Sequence, residues 1–293
     1  MDLPPLTRTH KLHQVLISTL RQQPLLAVEA ASLPPWNAAF FGFDRVPLFQ
    51  SSTAAQKNKI LQIACQDMLN KVCLFEKVGV GYMATMTLLA ETMEERMLYA
   101  LFSADQAKHL VQLKPLLSHC DDILAVEAPF FKRLESLLES ADRSVLLFII
   151  QIVLEGWGLR YYRKLSRHCC NPMLADLFCS FYQSEAKHHR AGMVLFDSAS
   201  LSDESRTTII ETLVVFLQGI QMGPHWLVEA IAAVKGDLSR SQTLSLLESL
   251  EAQRHSARRL DFVRSLITPV APDIAETLDT RNLFSPLPVA QRV

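Results

Sequence analysis

The chain repeats a set of polar residues at a fixed offset of 79 positions. Glu76, Gln106 and His109 recur as Glu155, Glu185 and His188. The second copy reads Glu, 29 residues, then Glu-x-x-His, and the first reads the same way with Gln106 in place of the motif Glu. Ala107-Lys108-His109 matches Ala186-Lys187-His188, and Gly79, Tyr82 and Phe102 match Gly158, Tyr161 and Phe181. One lone Glu-x-x-His carries little weight, but two copies at identical internal spacing point to a shared site.

Helix signals fix what each copy is. Thr92-Met93-Glu94-Glu95 reads as a capping box, and Asn171-Pro172 places an N-cap residue before a proline at the first helical position. These two starts are themselves 79 residues apart, and each marks the turn of a helical hairpin. Glu76 precedes Thr92 by 16 residues, and Gln106 and His109 follow it by 14 and 17. At a rise of about 1.5 Å per residue, all three lie roughly 21–26 Å from the turn, level with one another on antiparallel helices. The same arithmetic holds for Glu155, Glu185 and His188 around Asn171. Positions i and i+3 share a helix face, so Glu185 and His188 can point at one centre. Two such hairpins are what a four-helix bundle needs to hold two metal ions in its core.

Composition agrees with helix. There are 9 glycines against 15 phenylalanines, in 293 residues that are 49% hydrophobic. The formal net charge of −1 gives no polyanion footprint, so nucleic acid is not expected as a partner. The N-terminus Met1-Asp2-Leu3-Pro4-Pro5 lacks a basic segment followed by an apolar run, and no uninterrupted apolar stretch reaches about 18 residues. The expectation is a cytoplasmic protein without a membrane span. The six cysteines (Cys65, Cys73, Cys120, Cys169, Cys170 and Cys179) form no Cys-x-x-Cys and read as helix-buried thiols in a reducing compartment. The adjacent Cys169 and Cys170 are expected to be inert rather than a redox pair.

Along the chain, residues 1–50 read as an irregular arm with one short helix at Leu12–Arg21 and an aromatic strap, Trp36 with Phe40-Phe41-Gly42-Phe43. Residues 51–198 read as the bundle, with helices near 54–90, 93–117, 143–168 and 172–195. A crossover from Ser118 to Asp142 joins the hairpins and holds a short amphipathic helix near Phe130–Leu138. Residues 199–293 read as two helices, 207–234 and 239–266, packed on the bundle, and an irregular tail from Pro269. No linker divides the chain, although the C-terminal pair could form a subdomain.

Glu155 lies in the run Leu146-Leu147-Phe148-Ile149-Ile150-Gln151-Ile152-Val153-Leu154, and Glu76 follows Val72-Cys73-Leu74-Phe75. A carboxylate in such surroundings needs a cation or a hydrogen-bonded partner. On Glu76, His109, Glu155, Glu185 and His188, the stretch from Ala54 to Leu195 resembles the ferritin-like dinuclear carboxylate proteins. That likeness implies an all-α, ferritin-like four-helix bundle with a long crossover, holding two iron ions or a manganese–iron pair. The segment Phe181-Tyr182-Gln183-Ser184-Glu185-Ala186-Lys187-His188-His189 is also similar to the corresponding helix of the tRNA hydroxylase branch, over too short a length to assign a substrate.

Gln106 departs from the family pattern. An amide can ligate through its oxygen but carries no charge, so Glu76, Glu155 and Glu185 offset three of the four positive charges of two divalent ions. Asp105, at i, i+4 from His109, is the candidate for the missing carboxylate; the second copy has Ser184 there. The leading expectation is a dimetal oxidase or monooxygenase using O2 on a small or lipid-like substrate. It would need an external electron donor, because no flavin, nicotinamide or iron–sulfur motif is evident. The alternatives are a ferritin-like iron-binding protein and a metal-free interaction module; a homodimer is compatible with each. His189 is expected to face solvent, and Tyr162 and Tyr182 to pack in the core. His225/Glu229 and Glu251/His255 read as surface i, i+4 pairs, and His119 with Asp121 and Asp122 as a helix-end group.

Overall fold

The computed structural model describes residues 34–117, 128–140 and 142–293. The helix expected at Leu12–Arg21, Cys120, and His119 with Asp121 and Asp122 lie outside these residues. The described chain is all-α, with no strand. Ten helices organise it: α1 Ala54–Leu89, α2 Met93–Leu113, α3 Ala128–Ser140, α4 Arg143–His168, α5 Pro172–Leu195, α6 Asp203–Met222, α7 His225–Lys235, α8 Arg240–Ser249, α9 Ala252–Ile267 and α10 Pro272–Thr280.

The helix starts follow the residues that signal them. Thr53 and Gln56 form a reciprocal capping box at α1. At α2 the Thr92 hydroxyl accepts the Glu95 N–H at 3.1 Å, while the Glu95 carboxylate reaches past the cap to the N–H of Glu91 at 3.0 Å. Asn171 caps α5, with Pro172 in its first turn. α1 pairs with α2 and α4 with α5, each through a short turn, giving two antiparallel hairpins. The hairpins meet between α2 and α5, and Arg143 at the start of α4 binds Glu95 at the start of α2 at 2.8 Å. This ion pair joins the start of α4 to the start of α2.

α1 and α4 each contain an 18-residue window apolar and uncharged enough, by composition, to cross a membrane. Two thirds of the α4 window is buried within the protein, as befits a helix enclosed on several sides. α4 also departs from α geometry: Leu147–Leu154 forms a π-helical segment, after which the Glu155 N–H bonds to the Ile150 carbonyl. The wide turn lies directly before a buried carboxylate, as π segments at functional sites often do.

The termini are more ordered than their composition suggests. The arm from Trp36 to Gln50 forms short helical turns rather than an irregular strap. Trp36 is fully buried and donates its indole N–H to the Leu165 carbonyl at 3.1 Å. The expected helix 207–234 is two helices because Gly223, at φ 86°, precedes Pro224. The expected helix 239–266 breaks at Glu251, which is left-handed at φ 49°. The tail forms α10, started by Pro272. Leu260, Val263, Ile267, Ile274 and Leu278 share a core with Phe148, Ile152 and Leu213, while Leu227, Ile231 and Leu247 share one with Ile60, Met68 and Phe178. The C-terminal helices are thus packed into the cores of both hairpins.

The cysteines depart from expectation in burial as well as in bonding: Cys65 and Cys73 are buried, but Cys169 is half-buried and Cys170 and Cys179 are exposed. Cys65, Cys169, Cys170 and Cys179 are free thiols, whereas Cys73, buried on α1, is disulfide-bonded. That bond removes the support that six reduced thiols lent to a reducing compartment.

Candidate metal centre

All six repeated positions come together. Glu76, Gln106, His109, Glu155, Glu185 and His188 are each at most 7% exposed. His109 Nδ1 lies 3.0 Å from Glu76 Oε2 and 3.6 Å from Glu185 Oε1, so Glu76, His109 and Glu185 form one triad. His188 Nδ1 lies 3.5 Å from Glu185 Oε2, and with Glu155 these residues form a second. Within each triad the candidate ligand atoms lie within 4.8 Å of one another. Glu185 belongs to both and offers one oxygen to each side.

Gln106 does not contribute a charge to either triad. Its Nε2 donates to Glu185 Oε1 at 2.9 Å and lies 3.5 Å from His188 Nδ1. Gly79 makes room for it: a Cβ there would stand 2.5 Å from Gln106 Oε1. Gly158, its partner in the repeat, meets only Tyr162 at 3.7 Å, so the paired glycines have different work to do.

Asp105 is not a ligand candidate for the first triad. Its Oδ2 lies 3.5 Å from Nε2 of His188, on the ring edge opposite the triad. The distance is long for a hydrogen bond but suits an ion pair, and a carboxylate behind a ligating imidazole fixes the ring's orientation and raises its basicity. Ser184, the matching residue of the other copy, cannot do this for His109.

The electrostatics follow from burial. Glu155 is pushed well above the usual carboxylate range by desolvation and next by the nearby Glu185 charge. Burial opposes the His188 cation, but Asp105, Glu185 and Glu155 outweigh it and hold the imidazole up at about 10. Asp105 is desolvated too, yet His188 and His109 keep it below the usual range. Among the described residues, Gln106 Oε1, Glu155 Oε2 and His188 Nε2 are buried without a hydrogen-bond partner. Gln106 Oε1 is turned to Gly79, whereas Glu155 Oε2 is an acceptor beside other acceptors, an arrangement that a cation satisfies and another acceptor does not. The donor set, carboxylates with imidazoles, suits iron, manganese or zinc.

Several participants escape the repeat. The Tyr162 hydroxyl donates to Glu76 Oε1, a hydrogen bond rather than plain core packing, and burial with the Glu76 charge raises the phenol well above its ordinary value. Gln151 is fully buried; its Oε1 accepts from Tyr82 at 2.7 Å and Tyr99 at 2.8 Å, while its Nε2 donates to the His188 carbonyl. A lone glutamine one turn before Glu155 in an apolar run was the available signal. His189 is half-buried rather than exposed, with Nδ1 2.9 Å from the Gln151 carbonyl in the π segment. Phe102 and Phe181 pack their rings 4.2 Å from His188 and 3.9 Å from His109. Tyr182 is half-buried in the core around Trp36, and Glu251 and His255 form a loose surface pair at 3.9 Å. His225 is half-buried, with Nε2 lacking a hydrogen-bond partner among the described residues. The chain matches no family model, no curated protein and no solved structure.

Proposed function

We propose that this protein is a ferritin-like four-helix-bundle oxidoreductase holding two iron ions, or a manganese–iron pair, and using dioxygen to oxidise a small or lipid-like organic substrate. The observation that carries the reading is Glu185, placed to present one oxygen to Glu76 and His109 and the other to Glu155 and His188. A carboxylate shared between two Glu/His triads is the arrangement a dinuclear site needs. Bound iron or manganese would supply the redox chemistry that activates dioxygen.

The chain's residues would do the rest. Glu76, His109, Glu155, Glu185 and His188 bind; Asp105 orients His188; Tyr162 holds Glu76 through its Oε1; the Gln106 amide orients the shared carboxylate. Phe102 and Phe181 limit the access of water. The three carboxylates leave one unit of positive charge on a pair of divalent ions, which favours an anionic substrate group or hydroxide beside the first triad.

One observation favours a second reading. The Gln106–Glu185 hydrogen bond satisfies a shared oxygen without metal, as a bundle kept only for binding or scaffolding would require. Elemental analysis of protein expressed with iron and purified without chelator separates the two. Close to two metals per chain supports the dinuclear oxidase. One metal restricts binding to the triad of Glu155, Glu185 and His188. A folded chain that takes up none, even on anaerobic iron(II) addition, rejects the metal reading.

A further inference from the structure

We infer that the surface formed by α4 beyond the buried cluster and by the N-terminal half of α9 is a docking site for a small acidic one-electron carrier protein. Arg160, Arg163, Lys164 and Arg167 recur at i, i+3, i+4 and i+7 and are exposed, forming a single basic stripe along α4. Between Glu155 and the end of the helix at His168 there is no other acidic residue. α9 lies alongside and adds Arg254, Arg258 and Arg259. Arg160 joins the two helices: its guanidinium lies 4.9 Å from the Phe262 ring centre and donates to the Arg258 carbonyl at 3.4 Å.

Glu251 is engaged by Arg45 and Arg254. Among the described residues, no carboxylate lies within ion-pair distance of Arg160, Arg163, Lys164, Arg167 or Arg258. The Lys164 side chain reaches solvent while its amine sits over the Phe40 ring, 4.5 Å from the centre. Its pKa is brought down to about 8 by desolvation first, then by the charges of Arg259 and Arg160. An anionic partner relieves this mutual repulsion, and the concentration of cations stands out in a chain whose formal charge is −1.

Place and size select the partner. The inference rests on the proposed dimetal oxidase, which needs electrons from outside. The stripe follows Glu155 by 5 to 12 residues on the same helix, about 7–18 Å along its axis. A carrier seated there would be near the buried cluster. Each docking would oxidise the carrier by one electron as one iron(III) becomes iron(II), so two dockings reset the pair. The patch covers about 11 Å of α4 and about 8 Å of α9 at that rise, in keeping with the small interfaces of transient redox encounters.

The test uses the full chain with a plant-type [2Fe–2S] ferredoxin and a flavodoxin as probes, and binding measured by surface plasmon resonance at 10 and 150 mM salt. At least one carrier is expected to bind, with affinity falling about tenfold or more at the higher salt. Arg163→Glu/Arg167→Glu, at solvent-facing positions, is expected to weaken binding at least tenfold at low salt. Arg258→Glu is expected to weaken it less, and Arg96→Glu, at the hairpin turn of the opposite end, to leave it unchanged. The inference is overturned if neither carrier binds at 10 mM salt, if the double variant binds as tightly as the parent while keeping its fold by circular dichroism, or if transfer RNA binds this patch more tightly than both carriers. Metal content measured on the same preparations keeps the two readings apart. Carrier binding without metal strikes only the dimetal reading, and two metals without carrier binding strike only the docking surface.

Discussion

The two halves of the buried cluster differ at one motif position and behave as different environments. In the half from α4 and α5, Glu155 and Glu185 crowd two carboxyls around His188, and Asp105 backs the imidazole from α2. In the half from α1 and α2, Gln106 replaces the second carboxyl, and its amide is turned toward Glu185 instead. Tyr162 then supplies Glu76 with a donor. A symmetric repeat has become an asymmetric site, with the strain of like charges concentrated around Glu155. The first half therefore has less charge to offer a cation, and the second has more to gain from one.

The sharpest way to break this comparison is Glu185→Ala. If Glu185 serves both halves, the variant loses both metals, whereas Glu76→Ala and Glu155→Ala each lose one. Inductively coupled plasma analysis reads the counts, and a Glu185→Ala protein that retains two metals removes the shared-ligand argument. Next comes Gln106→Glu, which restores the repeat. Metal affinity at the first position should rise at least tenfold in anaerobic manganese(II) titrations. The metal-free protein should melt at a lower temperature, because another carboxyl joins a desolvated cluster. Equal affinities in parent and variant would show that the amide is not what weakens that half.

Asp105→Asn should act mainly on the other half, through the Asp105–His188 pair. Removing the carboxylate behind His188 should lower the imidazole pKa from about 10 and weaken metal binding at that half by about 10- to 100-fold. Nuclear magnetic resonance titration of the metal-free protein reads the pKa. An unchanged value would leave Asp105 as a bystander.

The pH dependence is expected to be smaller but distinctive. Both Glu155 and His188 hold their protons more tightly folded than unfolded, so the folded state binds more protons and stability falls as pH rises. For His188 the contribution is fully present below about 6.5, its ordinary value, and is lost through about 10. Metal binding must displace these protons, so affinity should rise over the same interval. Melting temperatures of chelated and manganese-loaded protein between pH 6.5 and 9 should therefore diverge as pH increases; parallel curves would mean that the metal does not engage this half.

Much of this arrangement was written in one dimension. The offset of 79 and the caps at Thr92 and Asn171 determined which residues meet and at what height, because helical rise is nearly constant. Chain spacing also located α1, α2, α4 and α5 and the short helix of the crossover, since hydrophobic period and capping act locally. The breaks at Gly223-Pro224 and Glu251, and the order of the tail, depended on how the C-terminal helices pack across both hairpins. Which partner each polar atom chose depended on contacts across helices far apart in sequence. Asp105 shares a face with His109 by spacing, yet it lies against His188, because α2 packs on α5 in three dimensions. The π turn before Glu155, the Tyr162–Glu76 hydrogen bond and the basic surface shared by α4 and α9 belong to the same class. Local periodicity determined the elements and the level of the cluster, while side-chain partners and surface charge were decided by helices meeting, which no single helix encodes.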